Sequence, residues 1–178
     1  MDVAFKVVGT GSVGTRDYVL LLFGNGAGDP LFLQVKEELP SCCAPYVTGI
    51  GSTTHEGKRV ADGQKRMQTV SDPFLGYTTI DGRDFLVRQL ADHKAGIDPL
   101  ELKGAALIEY GVVCGEVLAK AHARTGDPGA IAGYCGKSAA LDNALSKFAK
   151  LYADQTESDF KQFKEAIANG RVRAVFGK

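Results

Sequence analysis

Apolar positions come in short bursts from residue 5 to about residue 90 and then lengthen into helical spacing. The runs "DYVLLLF" and "LFLQVK" are built from β-formers and are parted by "GNGAGDP", so residues 5 to 37 read as strand, glycine turn, strand, loop, strand. Residues 38 to 54 are irregular, with Pro40, Pro45, Gly49 and Gly51. A helix is predicted from His55 to Val70, with Val60, Gln64 and Met67 near one face. "FLGYTTI" and "RDFLVRQL" predict two more strands, joined at Asp81-Gly82 by a two-residue hairpin.

Past residue 100 the period changes. "PLELKGAALIEYGVVCGEVLAKAHA" predicts one long helix, on which Gly111, Gly115 and Ala119 form a small-residue face that another element can approach closely. After the connector "RTGDPG" two helices are predicted, at about 138–153 and 156–169. The fold class is α+β: an antiparallel sheet of about five strands with one helix (residues 1–90), a connector (91–99) and a helical part (100–178).

Composition narrows the function classes. Of 178 residues, 44% are hydrophobic, and 21 bases balance 21 acids, so no overall field steers the chain toward nucleic acid or an anionic membrane. The sequence shows no leader pattern and no run long enough to span a bilayer, and a cytoplasmic location is expected. Cys42, Cys43, Cys114 and Cys135 include no CxxC; Cys42 and Cys43 with His55 and His93 make a poorly specified metal set, and no metal site is assigned.

The candidate chemistry lies in "KVVGTGSVGTRDYVLLL". Gly9, Gly11 and Gly14 fit G-x-G-x-x-G, a spacing shared by dinucleotide-binding folds and kinase-like loops. A dinucleotide site needs a helix to open at the glycines, whereas Tyr18 to Phe23 reads as a strand, which is the kinase arrangement. Glu37 and Glu38 pull the other way, because they stand where a dinucleotide fold places its ribose acid. Lys36 shares a strand face with Phe32 and Gln34, opposite Leu31, Leu33 and Val35, and from there could bridge phosphates as in V-A-I-K. Glu56, and next Asp62, are the acids expected to hold it. Two departures stand out: Arg16 replaces the kinase valine, and Gln34 replaces the small alanine that leaves room for adenine.

Phosphoryl transfer also needs an acceptor-orienting aspartate and metal ligands. The only block in the expected place is "HARTGD", whose His122, Arg124 and Asp127 are weak catalytic candidates. No asparagine follows at the needed spacing, no D-F-G follows, and Asp127 before Pro128 equally suits a helix cap. Magnesium is not expected to be held by this chain.

The blocks "KVVGTGSVGTRDYVLLL", "LFLQVKEE", "GKRVADGQKRMQTVSDPFLGY", "FLVRQLADHK", "LAKAHARTGD", "IAGYCGKS" and "FAKLYADQTESD" closely resemble the later half of a bacterial family of uncharacterised proteins, domain of unknown function 2252. The resemblance extends from about residue 2 to residue 170. That family is distantly similar to protein kinase and aminoglycoside phosphotransferase folds. Its full-length members carry an earlier half with G-D-x-H-x-x-N-F-G and aspartate-rich blocks that resemble catalytic and metal-binding loops. The resemblance implies an incomplete, permuted kinase-like fold whose partner is that earlier half. Its pattern covers Gly9, Gly11, Ser12, Gly14, Lys36, Gln64, Arg66, Arg88, Gln89, His122, Arg124 and Asp127.

The expected function is therefore binding of ATP or a similar nucleotide. Amides of Thr10, Gly11, Ser12, Val13 and Gly14 would receive phosphate oxygens, Lys36 would neutralise them, and Gln89 to Lys94 would lie beside the base. The rivals are a non-enzymatic structural or interaction module and a dinucleotide-binding oxidoreductase, the latter requiring a helix from Gly11 to Phe23.

Overall fold

The computed structural model describes residues 1–7, 9–26, 28–47, 54–90 and 96–174. Five strands, β1 (Asp2–Phe5), β2 (Asp17–Phe23), β3 (Pro30–Glu37), β4 (Gly76–Ile80) and β5 (Arg83–Gln89), form one sheet in the order β1-β2-β3-β5-β4. Every neighbouring pair is antiparallel. Helix α1 (Glu56–Met67) enters between β3 and β4, and α2 (Ala105–Thr125), α3 (Pro128–Cys135) and α4 (Ala140–Ala168) follow. This is the α+β order expected from the apolar pattern. The chain divides into two compact units, Met1–Gly126 and Asp127–Lys178.

In the first unit, α1 covers one face of the sheet. Gly57 and Ala61, one helical turn apart, are its buried residues, and Ala61 packs with Leu75, Leu86 and Val60. The N-terminus of α1 is fastened to the β4–β5 hairpin. His55 caps it by accepting the Lys58 N–H at Nδ1 (3.1 Å), while its Nε2 meets Thr79 Oγ1 at 3.1 Å. Asp84 Oδ2 accepts the Glu56 N–H at 2.7 Å. On the other face, Phe5, Tyr18 and Phe85 form a ring series with centroids 5.8 and 6.1 Å apart.

The hairpin turn is as expected. Asp81 and Gly82 both have positive φ, +50° and +72°, the backbone of a type I′ turn. Alanine at Gly82 must hold that left-handed conformation, so Gly82→Ala is expected to lower stability by about 1 kcal/mol, measured as a lower thermal midpoint.

The helices differ from expectation at their ends. α1 stops at Met67 instead of Val70, where Thr69-Val70 and Pro73 turn the chain toward extended structure. α2 begins at Ala105, not Pro99. Asp98 closes a turn by accepting the Leu100 N–H (2.9 Å), and Gly104 then takes positive φ. α3 was not expected. Its signals are nonetheless local: Asp127 accepts the Gly129 and Ala130 N–H groups, Pro128 stands at the first position, and Gly136 takes positive φ at the end. The two last predicted helices are one, α4. Thr156 stays helical by donating its hydroxyl to the Tyr152 carbonyl (2.8 Å), and Gln155 bonds Asp159 one turn on (2.7 Å).

Candidate functional site

The glycine turn joins β1 to β2 as a β-ribbon. Phe5 pairs with Tyr18, and the Lys6 N–H donates to the Asp17 carbonyl at 2.8 Å. Inside the turn, Ser12 N–H donates to Gly9 O (2.9 Å), Val13 N–H to Thr10 O (3.2 Å) and Thr15 N–H to Ser12 O (3.1 Å). Two of the five amides expected to meet phosphate, Ser12 and Val13, are thus engaged within the turn itself. Residues 17–23 are strand, and the glycines carry only a single 3-10 turn, Thr10–Ser12, so the helix from Gly11 to Phe23 that the dinucleotide-binding alternative requires is not formed.

Lys36 is half-buried near the end of β3, where the register sets it between Asp17 of β2 and Leu86 of β5. Leu86 packs with α1, so the Lys36 side chain stands on the α1-covered face, at the end of the sheet nearest the glycine turn. The acids expected to hold it are engaged elsewhere. Glu56 Oε2 pairs with Arg59 Nε at 2.5 Å, and Asp62 Oδ2 pairs with Lys58 Nζ at 2.5 Å. Among the described residues Lys36 itself takes part in no ion pair.

The two departures from the kinase pattern acquire definite roles. Gln34, only 3% exposed, donates Nε2 to Asp17 Oδ2 (2.5 Å) and accepts Arg88 Nε at Oε1 (2.9 Å). A polar chain therefore crosses three strands on the α1 face. Arg16 lies on the opposite face with Glu37. The Glu37 carboxylate accepts the Arg16 N–H (2.9 Å) and Arg83 Nη1 (2.8 Å), with Arg16 Nη1 at 3.5 Å. Burial raises the Glu37 carboxyl, but the Arg83 and Arg16 hydrogen bonds and charges outweigh it, and its pKa is lowered. Glu38 is raised, chiefly by burial, against the pull of Lys36, Arg59 and Arg88.

An apolar trough of about 380 Å³ lies on the face away from Lys36, lined by Tyr18, Leu20, Val35, Ile80 and Val87 among others. Sequence reasoning did not single out this trough, although the alternation of β2, β3 and β5 carries it.

A family model described as "Uncharacterized protein conserved in bacteria (DUF2252)" matches residues 1–166. The chain belongs to this family. No curated protein and no solved structure matches it.

The other residues singled out in the sequence fall into four places. Gln64 borders a hollow between the end of α1 and α2, with Met67, Val117 and Ala121, and Arg124 Nε donates to the Arg66 carbonyl at the end of α1 (3.0 Å). Arg124 thus fastens α2 to α1. Gln89 ends β5, where its N–H donates to Asp72 Oδ2 (2.6 Å); the connector residues 91–95 lie outside the described residues. His122 is exposed near the end of α2. The Asp127 carboxylate caps α3 by accepting the Gly129 and Ala130 N–H groups.

Cys42 and Cys43 are exposed free thiols, their sulfurs 4.0 Å apart. His55 has both ring nitrogens engaged as described, and His93 lies outside the described residues. Among the described residues no helix is long and apolar enough to cross a membrane.

Proposed function

We propose that this DUF2252 chain is a nucleotide-binding module of kinase-like design that lacks its own phosphotransfer centre. The observation that carries the reading is the meeting of two features at one end of the sheet. The chain reverses between the paired strands β1 and β2 through the Gly9–Gly14 segment, with a 3-10 turn at Thr10–Ser12, and Lys36 stands on the helix-covered face beside the start of β2. Amides of Thr10, Gly11 and Gly14 would take phosphate oxygens of ATP, and Lys36 would neutralise them. Acceptor and magnesium chemistry would come from the earlier half that the family resemblance implies.

The test is calorimetric titration with ATP, alongside turnover of ATP by the chain. Binding without turnover is expected, and Lys36→Ala should weaken it about tenfold, the loss of roughly one charge-assisted contact. Equal affinity of Lys36→Ala and the parent chain would sink the proposal, as would phosphotransfer by these 178 residues alone.

A second reading, an interaction module, is favoured by α4. Leu145, Phe148, Leu151, Tyr152, Phe160 and Phe163 are all exposed along this helix, an apolar stripe that a lone helix in water does not need. Under the first reading the same stripe would be covered by the earlier half of the family fold.

A further inference from the structure

The α1 face of the sheet contains a carboxylate whose bonding is incomplete. Asp17 is fully buried, Oδ2 accepts from Gln34, and Oδ1 has no hydrogen-bond partner. A buried carboxylate oxygen without a donor is costly, so its nearest available donor matters. The register supplies one. Glu37 N–H donates to the Arg16 carbonyl at 2.8 Å, which makes Arg16 and Glu37 a hydrogen-bonded pair. Asp17 and Lys36, the next pair along, are therefore a non-hydrogen-bonded pair, the geometry in which opposed side chains stand closest. An acid with one unpartnered oxygen and a lysine outside any described ion pair are direct neighbours on one face.

Asp17 also reaches a second cation. Through Gln34 it orients Arg88, whose Nε is held while its two terminal nitrogens remain available among the described residues. Arg88 lies opposite Gln34, and Lys36 opposite Leu86, so the two cations are diagonal neighbours on adjacent strands. Both act on the Glu38 carboxyl, as does Asp17, which places all four groups in one electrostatic neighbourhood.

We propose that Asp17, instead of an acid on α1, is the positioning residue for Lys36, and that through Gln34 it aims Arg88 so that the two cations form one phosphate-binding pair. This rests on the nucleotide reading above. A rotation of the Lys36 side chain toward Asp17 Oδ1 would satisfy the buried oxygen and leave ammonium protons for a phosphate. The guanidinium of Arg88, already fixed at Nε, offers a planar fork to the same anion. The glycine turn lies next along β2, so its amides and the cation pair would approach one phosphate chain from adjoining sides.

If Asp17 merely subtracts charge from a basic patch, removing its carboxylate tightens anion binding. If it positions Lys36, removal weakens binding. Asp17→Asn, Lys36→Met and the double variant are titrated with ATP, and thermal melts verify that each is folded. Asp17→Asn is expected to weaken ATP binding about fivefold, and to add almost nothing in the Lys36→Met background, the non-additivity of residues acting as one unit. Arg88→Met is expected to weaken binding by a similar factor. Unchanged or tighter binding by Asp17→Asn overturns the proposal, as does a loss that persists undiminished in the Lys36→Met background.

Two further measurements need no bound ATP. The Lys36 ammonium resonance of the parent chain should be visible by nitrogen-correlated NMR as a hydrogen-bonded group, and the Asp17/Lys36 variants should be coupled in urea unfolding. An exchange-broadened ammonium with additive unfolding effects overturns the pairing, even if Asp17→Asn proves too unstable to titrate. A parent chain that shows the pairing but binds no ATP overturns the nucleotide reading instead, and with it the phosphate role of the pair.

Discussion

Replacing Gly57 with alanine is expected to lower the stability of the first unit by about 3 kcal/mol, at the upper end of what overpacking costs. In an exposed helix the same exchange stabilises, since alanine is the better helix former by about 1 kcal/mol. Here a Cβ would fall on the Phe85 carbonyl oxygen, with the carbonyl carbon 2.5 Å away and His55 Cε1 at 3.0 Å. Phe85 belongs to β5, an interior strand paired on both sides by β3 and β4, so its backbone cannot yield. The helix must move instead, and the His55 cap, the Asp84 bond to the Glu56 N–H and the Ala61 contact with Leu86 are disturbed together. Gly63 provides the control. It lies in the same helix with open space around its would-be Cβ, so Gly63→Ala should leave stability unchanged or raise it slightly. Urea unfolding of the two variants decides the matter, and a Gly57→Ala midpoint equal to that of the parent would refute the close approach of α1 to β5.

Glu37→Gln is the second large effect. The amide keeps the shape of the side chain but removes the charge that Arg16 and Arg83 share on a residue only 4% exposed. Both arginine side chains are nearly half exposed, 44% and 48%, so the ion pairs are screened and the expected cost at neutral pH is about 2 kcal/mol. The pH dependence identifies the cause. The folded pKa of Glu37 lies below its ordinary value of 4.5, so its contribution is fully present above that value and is lost as pH falls through the folded pKa. Glu38 has the opposite sign. Its folded pKa is raised, so its ionisation opposes folding, and stability is regained as pH falls through that value toward 4.5. The parent should therefore lose stability on the acid side of 4.5, and Glu37→Gln should lose less over the same range. Parallel curves for the two proteins would show that Glu37 is not the titrating group. Glu37 follows Lys36 in β3 but faces the opposite side of the sheet, so the variant also tests whether loss of this clamp leaves ATP affinity unchanged.

What the linear sequence revealed was whatever depends on near neighbours. Alternation located β2, β3, β4 and β5, and Asp81-Gly82 specified its turn, because a two-residue hairpin needs positive φ at both positions. The β-rich run after the glycines excluded a helix there for the same local reason. The facing of Lys36 with Gln34 also followed from the strand period. The unexpected helix α3 also has local signals: Asp127, which suits a cap before Pro128, and Gly136 bracket it within ten residues of chain.

Tertiary structure decided the partners. Glu56 has a favourable spacing for Lys36, but Arg59, three residues on in the same helix, pairs with its carboxylate. Nothing in the local sequence marks Asp17, yet pairing of β2 with β3 buries it beside Lys36 and gives it Gln34. Arg16 and Glu37 are 21 residues apart in sequence and meet only because those two strands align. Sequence period tells which side of a strand a residue occupies. Which charge waits on that side depends on strand order and register, and these are settled by burying the apolar faces of the whole sheet at once.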